Sequence, residues 1–269
     1  MRYEARVLAL ALWVLGPPLA AGAEAPSVDE IVARTNRVAY YQGDDGRARV
    51  KMTITDAQGR ERLRRFTILR RDQERGEAAA AGDQKMYVYF RRPPDVNKMA
   101  FLVWKHPGQD DDRWLYLPAL DLVKRIAAAD ERTSFVGSHF FYEDVSGRSP
   151  EEDHHELRET TENYYVLRHT PKKPEAVEFA HYDMWVHRGS FIPVKMEYVD
   201  ASGSVYRRYE ALEVKTVQGH PTVVRARMSD LRGGGDTLLE YDAVAYDVGV
   251  PEDVFSERYL RQPPTEYLR

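Results

Sequence analysis

The chain has 269 residues, no cysteine and a formal net charge of −4, with 39 basic residues against 43 acidic ones. A protein of this size can bury an ordinary hydrophobic core, and without cysteine it is not a disulfide-stapled scaffold. Nucleic-acid binding needs a clustered basic surplus, which this mildly acidic composition does not supply, so no nucleic-acid partner is expected.

The first 23 residues have the parts of a cleavable secretory signal. Arg2 and Arg6 precede the unbroken apolar stretch Val7–Leu15, and Ala21-Gly22-Ala23 is a small-residue cleavage site. This apolar stretch is too short to span ~30 Å of hydrocarbon, and a bacterial lipid anchor needs a cysteine. We therefore predict a mature protein that begins near Glu24 and is released, without a lipid anchor, into the periplasm.

One helix is predicted after the signal. Ser27-Val28-Asp29-Glu30 forms a capping box, in which the serine and glutamate each satisfy a free amide at the helix start. Apolar residues then recur at helical spacing, which predicts an amphipathic helix from about Val28 to Tyr41, followed by the loop Gln42–Gly46.

Nearly everything after this loop is typical of strands separated by turns. Strands are predicted at Arg47–Thr55, Arg60–Arg71, Lys85–Phe90, Met99–Trp104, Arg113–Leu117, Tyr164–His169, Tyr182–His187, Lys195–Val199, Val205–Val214, Thr222–Met228 and Thr237–Tyr246. About a dozen strands without βαβ alternation predict a mainly β fold, with one large antiparallel sheet in a single domain, residues 24–269.

Two segments differ from the other strands. In Tyr182–His187 apolar and polar residues alternate, whereas Met86–Phe90 and Met99–Trp104 are apolar on both faces. Strands of the second kind are covered on both sides. The cover is either packed protein or the wall of an apolar cavity, and the pattern alone leaves both open.

Catalytic and metal motifs are weak. The nearest nucleophile arrangement is Gly137-Ser138-His139 with Asp144 downstream, but neighbouring side chains on a strand point to opposite faces, which separates the serine from the histidine. Adjacent His154 and His155 diverge for the same reason, and Asp110–Asp112 lacks the spaced ligands of a calcium loop. We therefore predict a protein that is not an enzyme and holds no metal and no cofactor.

An aromatic-dense stretch in the middle of the chain carries a family resemblance. It comprises Arg113–Pro118, Lys124-Arg125-Ile126 and Ser134–Asp144, and it resembles the signature of the LolA-like family of outer-membrane lipoprotein-sorting proteins. The matching residues are Arg113, Trp114, Pro118, Arg125, Ser134, Gly137, Ser138, Tyr142, Glu143 and Asp144. The resemblance extends over most of the mature chain, which is longer than the compact lipoprotein carrier and is similar to the broader family.

The resemblance implies a half-open β-barrel. In such a fold a strongly curved antiparallel sheet is covered on its concave apolar face by an N-terminal amphipathic helix and short further helices, and the face holds acyl chains. The cavity wall is then predicted at Val88, Phe90, Phe101, Val103, Trp104, Leu115, Leu117 and Phe135.

The resemblance also implies a role. We expect a periplasmic carrier that shuttles a lipid or acylated cargo between an inner-membrane transporter and the outer membrane, without stable membrane insertion. Members of the broader family are often associated with RND-type exporters. Two alternatives stay open: a sensor of lipid or lipoprotein that regulates a membrane protein through the same cavity, and a lipid hydrolase centred on Ser138.

Overall fold

The computed structural model describes residues 25–74 and 82–269. The predicted signal peptide, residues 1–23, lies outside the described residues. The helices are α1 (Val28–Tyr40), α2 (Tyr142–Ser146) and α3 (Arg258–Arg261). The strands are β1 (Asp45–Thr55), β2 (Glu61–Asp72), β3 (Gln84–Arg92), β4 (Ala100–Lys105), β5 (Asp112–Leu117), β6 (Leu122–Ile126), β7 (Asp153–Thr160), β8 (Tyr164–Pro171), β9 (His181–His187), β10 (Pro193–Val199), β11 (Val205–Val217), β12 (His220–Asp230) and β13 (Asp236–Tyr246).

These strands form one antiparallel sheet made of two meanders. The strand order is β6-β5-β4-β3-β2-β1-β13-β12-β11-β10-β9-β8-β7. Strands that pair are consecutive in sequence except for β1 and β13, and the consecutive strands β6 and β7 lie at opposite edges. We call β1–β6 the N-terminal half and β7–β13 the C-terminal half. The predicted mainly β fold with a single antiparallel sheet is confirmed.

Local sequence signals account for most of the elements. The capping box is present, with the Glu30 amide 3.2 Å from Ser27 Oγ and the Ser27 amide 2.8 Å from Glu30 Oε2. Glycines with positive φ close the β1–β2 and β10–β11 hairpins, at Gly59 (76°) and Gly203 (83°), where a side chain would be strained. The helix ends at Tyr40, one residue before its predicted end.

Two strands were not predicted, and both lie at the edges of the sheet. β6 and β7 are the first and last strands in the sheet order, and most of their side chains are exposed or half-buried. Edge strands carry charged residues that discourage further pairing. They consequently lack the apolar alternation from which the other strands were predicted.

The N-terminal half is covered by protein on both faces. The face that also carries α1, here called the inner face, packs under residues 127–152, a segment that we call the plug. Its apolar cluster includes Phe66, Val88, Phe90, Phe101, Val103, Leu115 and the plug residues Phe135, Phe140 and Tyr142. The opposite, outer face packs under the C-terminal segment, residues 247–269, through Tyr87, Leu102, Trp114, Val250, Val254, Phe255, Leu260 and Leu268.

This double cover explains the strands that are apolar on both faces. Along β4, Phe101 and Val103 face the plug, whereas Leu102 and Trp104 face the C-terminal segment. No helix among residues 25–74 and 82–269 is both long enough and apolar enough to cross a membrane.

Candidate functional site

A cavity of about 340 Å³ lies on the inner face, between α1 and the sheet. Its helix wall includes Val32, Thr35, Val38, Ala39 and Tyr40, and the plug closes one side through Phe135, Phe140 and Val145. Its sheet wall includes Met52, Phe66, Met86, Leu167, Met184, Met196, Tyr198, Tyr209, Met228, Leu239 and Tyr241. Most of this sheet wall therefore belongs to β1 and the C-terminal half.

Methionine is the characteristic residue of the wall. Five of the seven methionines in the chain line the cavity. Met184 on β9 and Met196 on β10 are directly opposite each other in the strand register, and both are half-buried because they face open space. Methionine is unbranched and polarizable, so this wall can adapt to apolar occupants of different shape.

The helix is held over the sheet near both of its ends. Ile31 and Val32 pack against Tyr165, Leu167 and Val186 of β8 and β9. After the last turn, Gln42 Nε2 donates to the Pro221 carbonyl at 2.9 Å, and Gln84 Nε2 donates to the Tyr40 carbonyl at 2.9 Å. The Arg34 guanidinium also lies 5.0 Å from the centroid of the Phe191 ring, and Lys105 Nζ lies 5.3 Å from that of the Tyr40 ring.

A buried charge network fastens the plug. Glu143, 3% exposed, pairs with Arg132 and with Arg148, whose Nη1 lies 2.8 Å from Glu143 Oε1. Arg148 also makes two 2.9 Å hydrogen bonds to Asp153 at the start of β7. A buried carboxylate is stable only when it is paired in this way, so the network fixes the plug to the sheet edge.

Two further pairs hold the plug from the other side. Arg113 on β5 is buried and bridges Asp111 (2.7 Å) and Glu131 (2.8 Å). Asp144 pairs with Arg207 on β11. Burial raises the pKa of Glu131 to about 7 despite its arginine partner.

The signature residues have two locations. Seven of them, Arg113, Ser134, Gly137, Ser138, Tyr142, Glu143 and Asp144, lie in the plug or hold it. The other three, Trp114, Pro118 and Arg125, lie on the outer face or at the β5–β6 hairpin. The signature therefore builds mainly the cover of the N-terminal half, and two of its residues, Glu143 and Asp144, also line the cavity.

Most of the residues that were predicted to form a cavity wall lie away from this cavity. Of the eight, Phe135 lines it. Val88, Phe90, Phe101, Val103 and Leu115 lie on the inner face beneath the plug, and Leu117 packs at the margin of the same cluster. Trp104 lies on the outer face, where its Nε1 donates to the Phe255 carbonyl at 2.7 Å.

The cavity residues that the sequence analysis did not select belong mainly to the C-terminal half. Tyr182 and Met184 occupy alternating positions of β9, the strand in which the sequence shows apolar and polar residues in alternation, and Met196 and Tyr198 occupy alternating positions of β10. A possible signal was the residue type, since methionine and tyrosine recur on that face where leucine and valine are usual in a core.

A polar region interrupts the apolar wall beside α1. His155 Nε2 lies 2.9 Å from the Pro150 carbonyl, and His155 Nδ1 lies 2.8 Å from His169 Nδ1. The His169 ring stacks on Tyr182 with a centroid separation of 4.5 Å. Burial lowers the pKa of His169 to about 3, so this ring is neutral at pH 7. His154 precedes His155 in the sequence and is exposed, so the two adjacent side chains point in different directions.

Carboxylates come together in the plug, but arginines engage them. Among the described residues, Glu131, Glu143 and Glu152 have carboxylate oxygens within 4.8 Å of one another. Each pairs with an arginine, either Arg113 or Arg148. These guanidinium groups supply the positive charge that a cation would otherwise bring.

The residues considered for a hydrolase do not form a nucleophile–base pair. Ser138 Oγ accepts a hydrogen bond from the Phe140 amide at 3.1 Å, and His139 Nδ1 lies 2.8 Å from Thr237 Oγ1. Ser138 is thus part of a backbone turn, and His139 fixes the plug to β13.

Comparison with known proteins identifies relatives of the same fold. A family model described as an uncharacterized protein matches residues 82–262. The chain is 26% identical to a DUF1329 family protein from Desulfovibrio piger, with a TM-score of 0.77 over 86% of this chain and 96% of that one. It is 25% identical to a putative outer membrane lipoprotein-sorting protein domain from Vibrio parahaemolyticus, with a TM-score of 0.75 over 86% and 97%.

A third structure is more distant. A LolA superfamily protein from Nitrosomonas europaea is 19% identical, with a TM-score of 0.66 over 87% of this chain and 100% of that one. At this identity the likeness shows the fold alone. No curated protein matches the sequence.

Proposed function

The chain belongs to the LolA-like family of outer-membrane lipoprotein-sorting proteins, and from that premise we propose that it is a carrier that holds an acyl chain in the cavity beneath α1. The observation that carries the proposal is the cavity itself, about 340 Å³ in volume and lined by five methionines. Small-molecule sites in proteins typically occupy about 300–1,000 Å³, so the cavity accommodates an acyl chain of a lipid or an acylated protein.

Apolar burial supplies the binding energy. Each buried methylene contributes about 0.8 kcal/mol, so a chain that buries ten of them gains about 8 kcal/mol before the costs of association. No specific polar contact is needed for this part of the affinity. The flexible methionine side chains let one wall accept chains of different length and branching.

Loading and release fit a movement of α1. The helix closes the cavity on the side opposite the sheet, and its contacts include one small apolar cluster and two glutamine hydrogen bonds near its C-terminal end. In the proposal the carrier works in the periplasm, receives its cargo from an inner-membrane transporter of the RND type and delivers it toward the outer membrane. No catalytic step is part of this role.

The direct test is to recover the cargo. Protein purified from the periplasm is examined by native mass spectrometry and its bound lipids are extracted and identified. We expect a stoichiometric acylated molecule that a fluorescent fatty acid displaces. Repeated recovery of lipid-free protein that also fails to bind the fluorescent fatty acid would refute the carrier role.

A cavity-filling variant locates the binding. Ala48 on β1 lines the cavity, and Ala48→Trp places an indole in that space. We expect at least a tenfold loss of fatty-acid affinity with the fold retained in circular dichroism. Ala201→Trp, in the exposed β10–β11 turn, is the matched control and should bind as the parent protein does. Equal affinities of the two variants would place the ligand elsewhere.

A further inference from the structure

Two buried polar atoms on the cavity wall make no hydrogen bond with the described residues. They are Thr35 Oγ1 on α1 and His169 Nε2 on β8. Both side chains line the cavity, and the residues are only 4% and 3% exposed. Buried hydroxyl and imidazole groups are normally paired, because an unpaired one loses its interaction with water without compensation. Two such atoms in one apolar cavity point to a ligand that completes them.

The hydrogen bonds from the Pro150 carbonyl through His155 to His169 determine whether His169 Nε2 carries a hydrogen. The Pro150 carbonyl can only accept, so the His155 Nε2 beside it carries the hydrogen. In a neutral imidazole the other nitrogen then accepts, and His155 Nδ1 accepts from His169 Nδ1. His169 Nε2 is therefore a bare acceptor. Burial lowers the pKa of both histidines, which supports the neutral form of each.

Thr35 and His169 occupy corresponding positions on the two walls. Thr35 lies one helical turn after Ile31, and His169 lies two residues after Leu167 on the same face of β8. Ile31 and Leu167 belong to one apolar cluster. Thr35 and His169 both line the cavity beside this cluster, and the threonine hydroxyl can both donate and accept there.

The nearby charges do not call for a charged ligand. Arg148 lines the same cavity, but it is paired with Glu143 and Asp153. Glu143 is in turn shared with Arg132. The charges of Arg148 and Glu143 are therefore balanced by partners within the protein.

We propose that the cavity selects a neutral lipid with a hydroxyl head group, in the class of long-chain alcohols and monoacylglycerols, whose hydroxyl donates to His169 Nε2 and accepts from Thr35 Oγ1. A fatty-acid carboxylate has only hydrogen-bond acceptors, so its oxygens would be repelled by the lone pair of His169 Nε2. This inference rests on the proposed acyl-chain carrier and adds the chemistry of the head group.

The test compares ligands that differ only at the head. Dodecanol, dodecyl methyl ether and dodecanoate compete at pH 7.5 for a fluorescent probe bound in the cavity of the full mature chain. We expect dodecanol to bind about tenfold more tightly than the methyl ether, which lacks a donor; this ratio corresponds to about 1.4 kcal/mol. We expect dodecanoate to bind more weakly than dodecanol as well.

Variants assign the preference to the two residues. Thr35→Val keeps the shape of the side chain, and His169→Phe keeps a ring against Tyr182; each should reduce the alcohol preference to less than threefold while the methyl ether binds as before. Thr67→Val is the matched control, since the Thr67 hydroxyl is buried on the outer face and donates to the Leu268 carbonyl. It should leave the preference at about tenfold.

The outcomes separate this inference from the proposed function. If none of the three ligands displaces the probe and no lipid binds, the carrier itself is refuted. If all three bind with equal affinity, or if the alcohol preference survives in both variants, the carrier stands and the hydroxyl site is refuted. A Thr35→Val protein that unfolds at a lower temperature than the ligand-free parent would show that Thr35 is bonded within the protein, and would also refute the site.

Discussion

The two halves of the sheet have the same strand pattern but different covers. In the N-terminal half the inner face is filled by the plug, so that Phe90, Phe101 and Phe135 form a continuous ring cluster with centroid distances of 5.6–5.8 Å. In the C-terminal half the inner face carries α1, and a cavity remains between Met184, Met196 and the helix. An apolar strand face thus becomes core or binding wall according to what packs on it.

The plug and the cavity wall also differ in the types of side chain that they contain. The plug carries its own ion pairs, including Glu143 with Arg132 and Arg148, and these make its position specific. On the sheet side, the cavity wall consists mainly of methionines, tyrosines and other apolar residues. We therefore expect substitutions under the plug to change stability, and substitutions of the cavity wall to change binding.

The largest effect is expected at the centre of the plug. Phe135 is 1% exposed and its ring contacts those of Phe66, Phe90, Phe101 and Tyr142. Phe135→Ala should lower the free energy of unfolding by about 3–5 kcal/mol, measured by urea denaturation. Phe135→Leu, which keeps most of the volume, should cost less than about 1.5 kcal/mol. A loss below about 1 kcal/mol in Phe135→Ala would mean that the plug is not part of the core.

The next effect is at the ion pairs of the plug. Glu143→Gln removes the charge that balances Arg132 and Arg148 in a buried site, and we expect a loss of about 2–4 kcal/mol in the free energy of unfolding. Glu156→Gln is the control, because Glu156 pairs with Arg158 at the surface, where such pairs contribute about 0–1 kcal/mol. Equal losses in the two variants would contradict the anchoring role of the network.

A pair of methionine substitutions compares the halves directly. Met196→Ala, in the cavity wall, should lower stability by no more than about 1 kcal/mol, because its side chain is only half-buried, and should weaken fatty-acid binding about threefold to tenfold. Met99→Ala, in the cluster beneath the plug, should cost about 2–5 kcal/mol without changing the affinity. The reverse pattern would exchange the roles of the two regions.

The smallest effect is the pH dependence, in which a plug residue, Glu131, and a residue of the C-terminal half, His169, act in opposite directions. Burial raises the pKa of Glu131 from 4.5 to about 7, so its contribution to stability is complete below pH 4.5 and is lost as the pH rises through 7. Burial lowers the pKa of His169 from 6.5 to about 3, so its contribution is present above pH 6.5 and is lost as the pH falls toward 3.

Between pH 4.5 and 6.5 the two contributions oppose each other. We expect Glu131→Gln to make the free energy of unfolding rise more steeply with pH in this window, and His169→Phe to make it rise less steeply, in urea titrations at successive pH values. A Glu131→Gln protein with the slope of the parent would show that this carboxyl group titrates normally in the folded state.

The sequence predicted the local elements well where a local cause exists. The capping box at Ser27 fixes the start of α1, and glycines such as Gly59 and Gly203 fix hairpin turns. The edge strands β6 and β7 escaped because their polar exposed residues give no periodic signal. Of the eight residues predicted to line a cavity, Phe135 lies on the cavity beneath α1.

The amino-acid sequence by itself thus determined the mainly β class, the single helix before the strands and the apolar character of each strand face. Only the tertiary structure decided which apolar faces become core and which one remains open. The physical reason is that the covers come from distant parts of the chain, as in the hydrogen bond from Trp104 to Phe255 and in the Arg207–Asp144 pair. Hydrophobic burial is non-directional, and a strand's own pattern does not state what will pack on it.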